Sequence, residues 1–211
     1  RCLPGSYMNQ TARGSCYTCP PGFYCLEASV RPQDCPMGHY CPANTTYSTQ
    51  YPCPAGTYSD VHRISDASQC KPCTAGHYCA TAGLVQPTGI CASGHFCRSG
   101  SDNYAPAHGS PLGYAGDTCV SQADFELVTG DVCPRGHYCP DGIGSPIGCP
   151  AGTYSSTRNN PNVSLCEPCS PGYVCSNIST VTPSEPCPVG YYCPGGQSDG
   201  REYPCPVGHY C

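Results

Sequence analysis

Residues 53–79 read CPAGTYSDVHRISDASQCKPCTAGHYC, and residues 149–175 read CPAGTYSSTRNNPNVSLCEPCSPGYVC. The two stretches share the order and spacing of their cysteines, while many of the residues between the cysteines differ. With the two cysteines that follow each stretch, six positions recur at an offset of 96 residues: Cys53, Cys70, Cys73, Cys79, Cys91 and Cys97 return as Cys149, Cys166, Cys169, Cys175, Cys187 and Cys193. An enzyme rarely duplicates its active site in this way, so the repeat predicts an array of small cross-linked modules.

One short element, C-x2-G-x-[YFV]-C, recurs throughout the chain. Its eight copies begin at Cys19, Cys35, Cys73, Cys91, Cys133, Cys169, Cys187 and Cys205, and a shortened form without the second cysteine begins at Cys2, Cys53 and Cys149. Proline ahead of glycine favours a tight turn, and glycine adopts backbone torsions that other residues resist. We therefore expect the chain to reverse between the two cysteines, with the aromatic ring placed to cover a disulfide.

The composition is typical of a disulfide scaffold in an oxidising compartment. The 211 residues include 23 cysteines, 25 glycines and 25 prolines but only three phenylalanines and no tryptophan. Crosslinks replace the hydrophobic core that such a composition cannot build, and they persist outside the cytosol. Four N-x-[ST] sequons predict N-linked glycans at Asn9, Asn44, Asn162 and Asn177. The expected location is therefore extracellular, either secreted or at the cell surface.

Charge and hydropathy exclude several classes of partner. The net charge is −5, and Lys71 is the single lysine, so a nucleic acid or an anionic membrane surface is not an expected partner. The sequence contains no signal peptide and no apolar run long enough to cross a bilayer, so any membrane anchor is expected to lie outside it.

These features predict a small disulfide-rich fold, an extended tandem array of cysteine-knotted modules with short β-strand pairs and turns and almost no helix. The predicted modules are residues 1–52, 53–97 and 149–194. Residues 98–148 are expected to form a degenerate module or an inserted loop plus a half-module, and residues 195–211 the start of a further module.

The cysteine order also resembles a known family. The order C-x2-G-x-Y, a loop, and C-x2-C-x2-G-x-[YV]-C with two further cysteines resembles the ephrin-receptor-like cysteine-rich repeats, which are similar to tumour necrosis factor receptor modules. The residues alone leave open fifteen connectivities for six cysteines. The resemblance, which covers most of the chain outside residues 98–132, implies a 1–2, 3–5, 4–6 order. It gives the pairs Cys2–Cys16, Cys19–Cys35, Cys25–Cys41, Cys53–Cys70, Cys73–Cys91, Cys79–Cys97, Cys149–Cys166, Cys169–Cys187 and Cys175–Cys193.

Residues 98–132 interrupt the pattern, because they contain a single cysteine, Cys119. They form either a degenerate half-module, with a Cys119–Cys133 disulfide spaced like Cys2–Cys16, or an inserted loop that contacts a neighbour. Cys139, Cys205 and Cys211 then remain as unpaired or inter-chain candidates. Since the number of cysteines is odd, at least one thiol must be free or bonded outside the chain.

No residue pattern predicts catalysis. Five histidines share one position beside the aromatic residue of the turn: His39, His77, His95, His137 and His209. Next to the C-x2-C pairs they raise the alternative of a zinc site, but other copies carry Phe, Tyr or Thr there, so no metal and no other cofactor is predicted. No nucleophile–base pair stands out, and the chain is not expected to be an enzyme.

The sequence thus favours an extracellular structural glycoprotein, a subunit or segment of a filament, coat or matrix. Its expected partners are other copies of itself joined head to tail, or neighbouring repeats of a longer chain. The alternative is the ligand-binding ectodomain of a cell-surface receptor, with residues 98–132 as the contact segment. A redox or metal protein is a third alternative.

Overall fold

The computed structural model describes residues 1–9, 15–107, 129–209 and 211. The chain divides into two compact units, one formed by Arg1–Gly89 with Ser99–Tyr104 and the other by Ile90–Arg98 with Ala105–Cys211. We call each copy of the repeated element, full or shortened, a cysteine turn. The first unit contains the five turns that begin at Cys2, Cys19, Cys35, Cys53 and Cys73, and the second contains the six that begin at Cys91, Cys133, Cys149, Cys169, Cys187 and Cys205.

Very short strands and two 3₁₀ helices make up the regular secondary structure of the described residues. The strands are β1 (Ser6–Tyr7), β2 (Tyr17–Thr18), β3 (Phe23–Tyr24), β4 (Gln33–Asp34), β5 (Thr57–Tyr58), β6 (Lys71–Pro72), β7 (His77–Tyr78), β8 (Gly89–Ile90), β9 (His95–Cys97), β10 (Gly130–Val132), β11 (His137–Tyr138), β12 (Ile147–Gly148), β13 (Thr153–Tyr154), β14 (Glu167–Pro168), β15 (Tyr173–Val174) and β16 (Glu185–Pro186). The 3₁₀ helices are Ala67–Gln69 and Val163–Leu165. Consecutive strands pair into eight two-stranded sheets, so the predicted small disulfide-rich fold is confirmed.

The turn around Gly22 shows why the repeated element folds as it does. The Phe23 N–H donates a hydrogen bond to the Pro20 carbonyl at 3.3 Å, and Gly22 has φ +82°. These are the features of a type II turn, whose third position requires a left-handed residue. The reversal brings the Cα atoms of Cys19 and Cys25 to 5.9 Å, where a disulfide joins them.

Within each unit, every turn is hydrogen-bonded to the next through its glycine. In the first unit the Gly22 N–H donates to the Cys41 carbonyl at 2.8 Å, and the Cys35 N–H donates to the Gly22 carbonyl at 3.0 Å. In the second unit Gly152 makes the same two bonds, to Cys175 and from Cys169, both at 2.8 Å. The turns of each unit therefore form a ladder in which the backbone of one glycine makes the hydrogen bonds between each turn and the next. We refer to these arrangements as turn ladders.

Two of the three shortened turns fit the same ladders with a serine in place of the missing second cysteine, whereas the turn that begins at Cys2 has Met8 at that position. Ser59 and Ser155 occupy that position, and both are buried. Their carbonyls accept hydrogen bonds from Gly38 and Gly136 at 2.9 and 2.8 Å. The first cysteine of such a turn is then free to bond at longer range, as Cys53 does with Cys70.

The buried interior is built mostly from sulfur. Of the 21 buried hydrophobic residues among the described ones, 18 are cysteines, and the others are Ile64, Phe96 and Val174. Burial of aliphatic and aromatic side chains normally supplies the main driving force for folding. Here that term is small, so the disulfides and the turn hydrogen bonds must hold the chain together.

The disulfide order implied by the family resemblance is correct for three pairs and wrong for six. Cys2–Cys16, Cys53–Cys70 and Cys149–Cys166 are present. The nested pairs Cys19–Cys35, Cys25–Cys41, Cys73–Cys91, Cys79–Cys97, Cys169–Cys187 and Cys175–Cys193 are absent. The same cysteines instead pair within each turn, as Cys19–Cys25, Cys35–Cys41, Cys73–Cys79, Cys91–Cys97, Cys169–Cys175 and Cys187–Cys193. The physical reason is local, because the turn already places its own two cysteines at bonding distance.

The predictions for the remaining cysteines are corrected in the same way. Cys133 pairs with Cys139 rather than with Cys119, and Cys205 pairs with Cys211, so none of Cys139, Cys205 and Cys211 is unpaired. Eleven disulfides therefore use 22 of the 23 cysteines. Cys119 lies outside the described residues, as do residues 108–128 generally. The Cys119–Cys133 disulfide of the half-module is wrong, while the choice between a degenerate half-module and an inserted loop for residues 98–132 stays a prediction.

Candidate functional site

A second set of hydrogen bonds fixes the loop that follows each turn. The carbonyl of a turn's first cysteine accepts a hydrogen bond from one residue after the next turn, and that residue has a left-handed backbone. For example, Asn44 (φ +69°) donates its N–H to the Cys19 carbonyl, and Ser179 (φ +64°) donates to Cys149, both at 2.9 Å. The full set of donors is Ala28, Asn44, Arg63, Gly83 and Gly100 in the first unit, and Gly142, Asn159, Ser179 and Gly196 in the second.

These left-handed residues also explain why the turn position must be glycine. A Cβ built on Gly22 would lie 2.6 Å from the Arg63 carbonyl oxygen, and one built on Gly152 would lie 2.5 Å from the Gly196 carbonyl oxygen. The backbone of a loop therefore packs directly on a turn that lies two turns earlier in the chain. Each loop is held to the turns by its backbone, and in several loops the residue after the left-handed one is buried as well, as Thr45, Ile64 and Asn160 are.

The aromatic residue of a turn packs against the disulfide of the next turn. Tyr40 contacts the cluster of Cys53, Ile64 and Cys70, whose two cysteines are bonded to each other. Phe96 contacts the Cys133–Cys139 disulfide in the second unit. The sequence predicts a ring over a disulfide, and the structure adds that in these two turns the covered disulfide is the following one.

The residue two positions before a turn lies opposite the aromatic residue of the preceding turn across the strand pair, and its identity varies. Tyr17 lies opposite Tyr7, Lys71 opposite Tyr58, and Glu167 opposite Tyr154. Side chains opposite each other in an antiparallel pair are close enough to interact. Four tyrosine pairs have ring centroids 5.4–5.9 Å apart: Tyr7–Tyr17, Tyr40–Tyr51, Tyr78–Tyr104 and Tyr192–Tyr203.

The repeated histidines are held by local hydrogen bonds. The Nδ1 atom of His39, His77, His95 and His137 lies 2.9–3.5 Å from the carbonyl oxygen two residues earlier in its own turn. His137 also contacts the Ser179 hydroxyl through Nε2 at 3.2 Å. In the described part of the chain, no three His, Cys, Asp or Glu side chains gather so that they could hold a metal ion.

Charged groups lie at the surface and act locally. Lys71 donates to Asp60 at 2.9 Å, which lowers the pKa of Asp60 and raises that of Lys71. The Tyr154 hydroxyl donates to Glu167 at 2.8 Å, and this bond raises the pKa of Tyr154. A hydrogen bond to Glu202 raises the pKa of Tyr203 in the same way.

The four sequon asparagines are exposed, as glycosylation requires. Asn9, Asn44, Asn162 and Asn177 all lie at the surface of their units. Asn162 caps the 3₁₀ helix Val163–Leu165, where its Oδ1 accepts a hydrogen bond from the Ser164 N–H at 3.0 Å. A glycan attaches to Nδ2, so the cap and the glycan are compatible at this residue.

An open groove of about 670 Å³ lies near the last two turns. Its described lining is mostly proline, cysteine and tyrosine, and the titratable side chains are Tyr191, Tyr192 and His209. A typical small-molecule site is enclosed and carries convergent polar groups. This groove has neither feature, so the turn ladders themselves are the candidate functional feature.

The comparisons with known proteins match part of the chain. No family model matches it. An alignment over 104 residues, which covers 43% of this chain, is 31% identical to the "Putative white-brown complex homolog protein 30" of Arabidopsis thaliana. An alignment over 103 residues, which covers 41% of the chain, is 30% identical to "ABC transporter G family member 25" of Oryza sativa subsp. japonica. The matched segment spans 9% and 10% of the two relatives' lengths.

None of the helices in the described part of the chain has the length and hydropathy needed to span a bilayer.

Sequence reasoning missed two sets of residues. Ser59 and Ser155 follow CPAGTY directly, so their alignment with the second cysteine of a full turn was visible in the sequence. The left-handed loop residues carry a weaker signal: four are glycines and two are asparagines, the residue types that adopt this conformation most readily. Ala28, Arg63 and Ser179 carry no such signal.

Proposed function

We propose that this chain is an extracellular structural glycoprotein, a segment of a coat, matrix or filament built from disulfide-bonded turns. The observation that carries the proposal is the pair of turn ladders, in which each turn has its own disulfide and hydrogen-bonds to the next. Such an arrangement resists unfolding and proteolysis without needing a large core.

The compartment and the glycans belong to the same proposal. Twenty-two bonded cysteines are consistent with an oxidising compartment. The exposed asparagines of the four sequons would carry N-linked sugars on the outer surface of the units. We propose other copies of the chain, or neighbouring repeats of a longer chain, as the partners.

The proposed kinship with ephrin-receptor-like and tumour necrosis factor receptor repeats rests on the order of the cysteines. It concerns the spacing of the turns and not the nested disulfide order, which this chain lacks. Disulfide-bonded repeats of this kind suit a mechanical role because each turn contacts only nearby turns.

A second candidate is an ectodomain segment of a larger cell-surface protein, including a ligand-binding ectodomain. The similarity to a short segment of a protein named as an ABC transporter favours it, since this chain would then be one part of a membrane-attached protein. In this case the cysteine-rich segment would act as a folded spacer or a binding surface.

Electron microscopy of the secreted, glycosylated chain at increasing concentration tests the first proposal. We expect elongated assemblies or sheets, and bands on a non-reducing gel that collapse to a monomer on reduction if disulfides join copies. Dispersed monomers at every concentration would contradict self-assembly. Saturable binding of those monomers to intact cells would then support the ectodomain candidate.

A further inference from the structure

The paired tyrosines form a recurring surface feature that the structural role does not require. In three of the four pairs, one tyrosine is the aromatic residue of a turn, and the other lies two residues before the first cysteine of the next turn. These three pairs are Tyr7–Tyr17, Tyr40–Tyr51 and Tyr192–Tyr203, with ring centroids 5.7, 5.5 and 5.4 Å apart. Other turns place glutamine, lysine or glutamate at the same position, so the tyrosine is not needed for the turn itself.

We propose that these tyrosine pairs are sites of oxidative coupling to dityrosine within one chain, with Tyr192–Tyr203 as the most reactive pair. The oxidant would be a haem peroxidase with hydrogen peroxide, both of which act on exposed phenols. The coupling would add a carbon–carbon crosslink between one turn and the residues that lead into the next turn. This goes beyond the proposed structural role, because an intrachain bond does not depend on assembly.

The backbone holds Tyr192 and Tyr203 in register. The Tyr192 N–H donates to the Tyr203 carbonyl at 2.9 Å, and the neighbouring Tyr191 and Pro204 form an antiparallel bridge. Since successive side chains of an extended chain point to opposite faces, Tyr192 faces Tyr203 while Tyr191 does not. A pair held by the backbone meets repeatedly, so two radicals formed on it couple before they diffuse to other chains.

The chemical environment of this pair also favours oxidation. Tyr192 is 43% exposed, so a peroxidase or its small mediators can reach it. Glu202 directly precedes Tyr203, and its carboxylate raises the pKa of the Tyr203 phenol; a carboxylate beside the phenol can accept the phenol proton as the electron leaves. A phenol oxidises more readily when a base takes its proton in the same step.

The coupling balances with one molecule of peroxide. Each phenol loses one electron and one proton to give a phenoxyl radical, and the two radicals form a bond between ring carbons ortho to the oxygens. Each of these carbons then loses its hydrogen as a proton while its phenol oxygen regains one. The chain has lost two hydrogen atoms in total, and hydrogen peroxide, which accepts two electrons and two protons, becomes two molecules of water.

The test treats the folded, unreduced chain at high dilution with a haem peroxidase and hydrogen peroxide. The product is then reduced, alkylated and digested with trypsin, which cuts after Arg201 and so separates Tyr192 from Tyr203. We expect the two tryptic peptides to appear joined, with the mass of their sum less two hydrogens, together with dityrosine fluorescence. The absence of tryptophan makes that fluorescence simple to read.

Conservative variants decide the assignment. Tyr203→Phe and Tyr192→Phe should each abolish the joined peptide. Tyr191→Phe should leave it, as should Tyr154→Phe. The Tyr154 phenol donates to the Glu167 carboxylate, but Tyr154 belongs to none of the four tyrosine pairs among the described residues. These phenylalanine variants remove only a hydroxyl, so the fold is retained.

Three results would overturn the proposal. The joined peptide could persist in the Tyr203→Phe variant, its yield could fall on dilution as an inter-chain product would, or the reduced and unfolded chain could give it in equal yield. Each would show that the folded pair does not direct the coupling.

Discussion

At the scale of single residues, glycine at the third turn position serves two requirements that can be separated. All eleven turn glycines have a left-handed backbone, yet only some are covered by a later loop. Gly152 (φ +85°) lies against the Gly196 carbonyl, whereas nothing lies within 4 Å of a Cβ built on Gly172 (φ +83°). The two glycines belong to successive turns of one unit and so form a matched pair.

We predict that Gly152→Ala destabilises the chain more than Gly172→Ala. The left-handed backbone costs an alanine about 1–2 kcal/mol at either site. At Gly152 the methyl group must also displace backbone, and overpacking of this kind typically adds about 1–3 kcal/mol. Denaturant unfolding of both variants with disulfides intact measures the difference. Equal losses would show that the close approach of the later loop carries no energetic weight.

A second residue-scale prediction concerns pH at the two 3₁₀ helices, which occupy equivalent places in the repeat. Asp66 caps the first helix by accepting from the Ser68 N–H at 2.9 Å, and the Ser68 side chain together with this N–H lowers the pKa of Asp66. Since the folded pKa is depressed, the cap's stabilisation is present above the ordinary aspartate pKa and is lost as the pH falls through the folded value. Asn162 caps the other helix and does not titrate.

Acidification should therefore loosen Ala67–Gln69 while Val163–Leu165 stays capped. Amide chemical shifts and hydrogen exchange of Ser68 and Ser164, followed from neutral to acidic pH, measure this directly. We expect Ser68 alone to change with the protonation of Asp66, and Asp66→Asn should remove the difference. A parallel change at Ser164 would mean that acid acts on the whole unit and not on the cap.

At the scale of the elements, the sequence supports the turn but not the wider disulfide order. The Pro-x-Gly spacing predicts a chain reversal between Cys19 and Cys25, and the structure has that reversal and closes it with a disulfide. The family resemblance implied Cys19–Cys35 instead, and it was wrong because local turn geometry decides the pairing. Short loops are also the cheapest to close in entropy.

Proteolysis without reduction can check this pairing. Residues 1–27 contain Cys2, Cys16, Cys19 and Cys25, and Glu27 is the first acidic residue of the chain, so a glutamate-specific protease releases them as one fragment. With pairing inside each turn, we expect this fragment to separate from the rest under non-reducing conditions and to gain four hydrogens on reduction. With the nested order, it would stay attached through Cys35 and Cys41 until reductant is added. A sample reduced before digestion provides the control.

At the scale of the whole molecule, the contacts between turns are what sequence reasoning could not supply. Strand pairs, turns and the absence of long helices follow from local composition. The packing of Arg63 on Gly22 does not, because arginine has no special preference for a left-handed backbone and lies two turns away from the glycine. The contact becomes visible only when the turns are stacked. The tyrosine pairs were missed for the same reason, since register across the strand pair decides which rings meet.

The composition of the buried interior leads to a prediction for the whole chain. Because 18 of the 21 buried hydrophobic residues in the described part of the chain are cysteines, little apolar burial remains there once the disulfides are opened. Each within-turn disulfide closes a loop worth about 2–3 kcal/mol in the chain-entropy model, and a folded protein is normally stable by only about 5–15 kcal/mol. Reduction of all eleven disulfides should therefore unfold both units completely.

Hydrogen exchange of the chain before and after reduction, in the same buffer without denaturant, measures this loss. We expect the protected amides of the ladder, such as those of Gly22 and Gly152, to exchange at the rate of an unstructured peptide after reduction. Alkylation in denaturant before reduction should label one thiol per chain, since 22 of 23 cysteines are paired. This singly alkylated, unreduced chain is the control for the exchange measurement. Protection that survives full reduction would show that the turn hydrogen bonds, and not the disulfides, hold the ladder together.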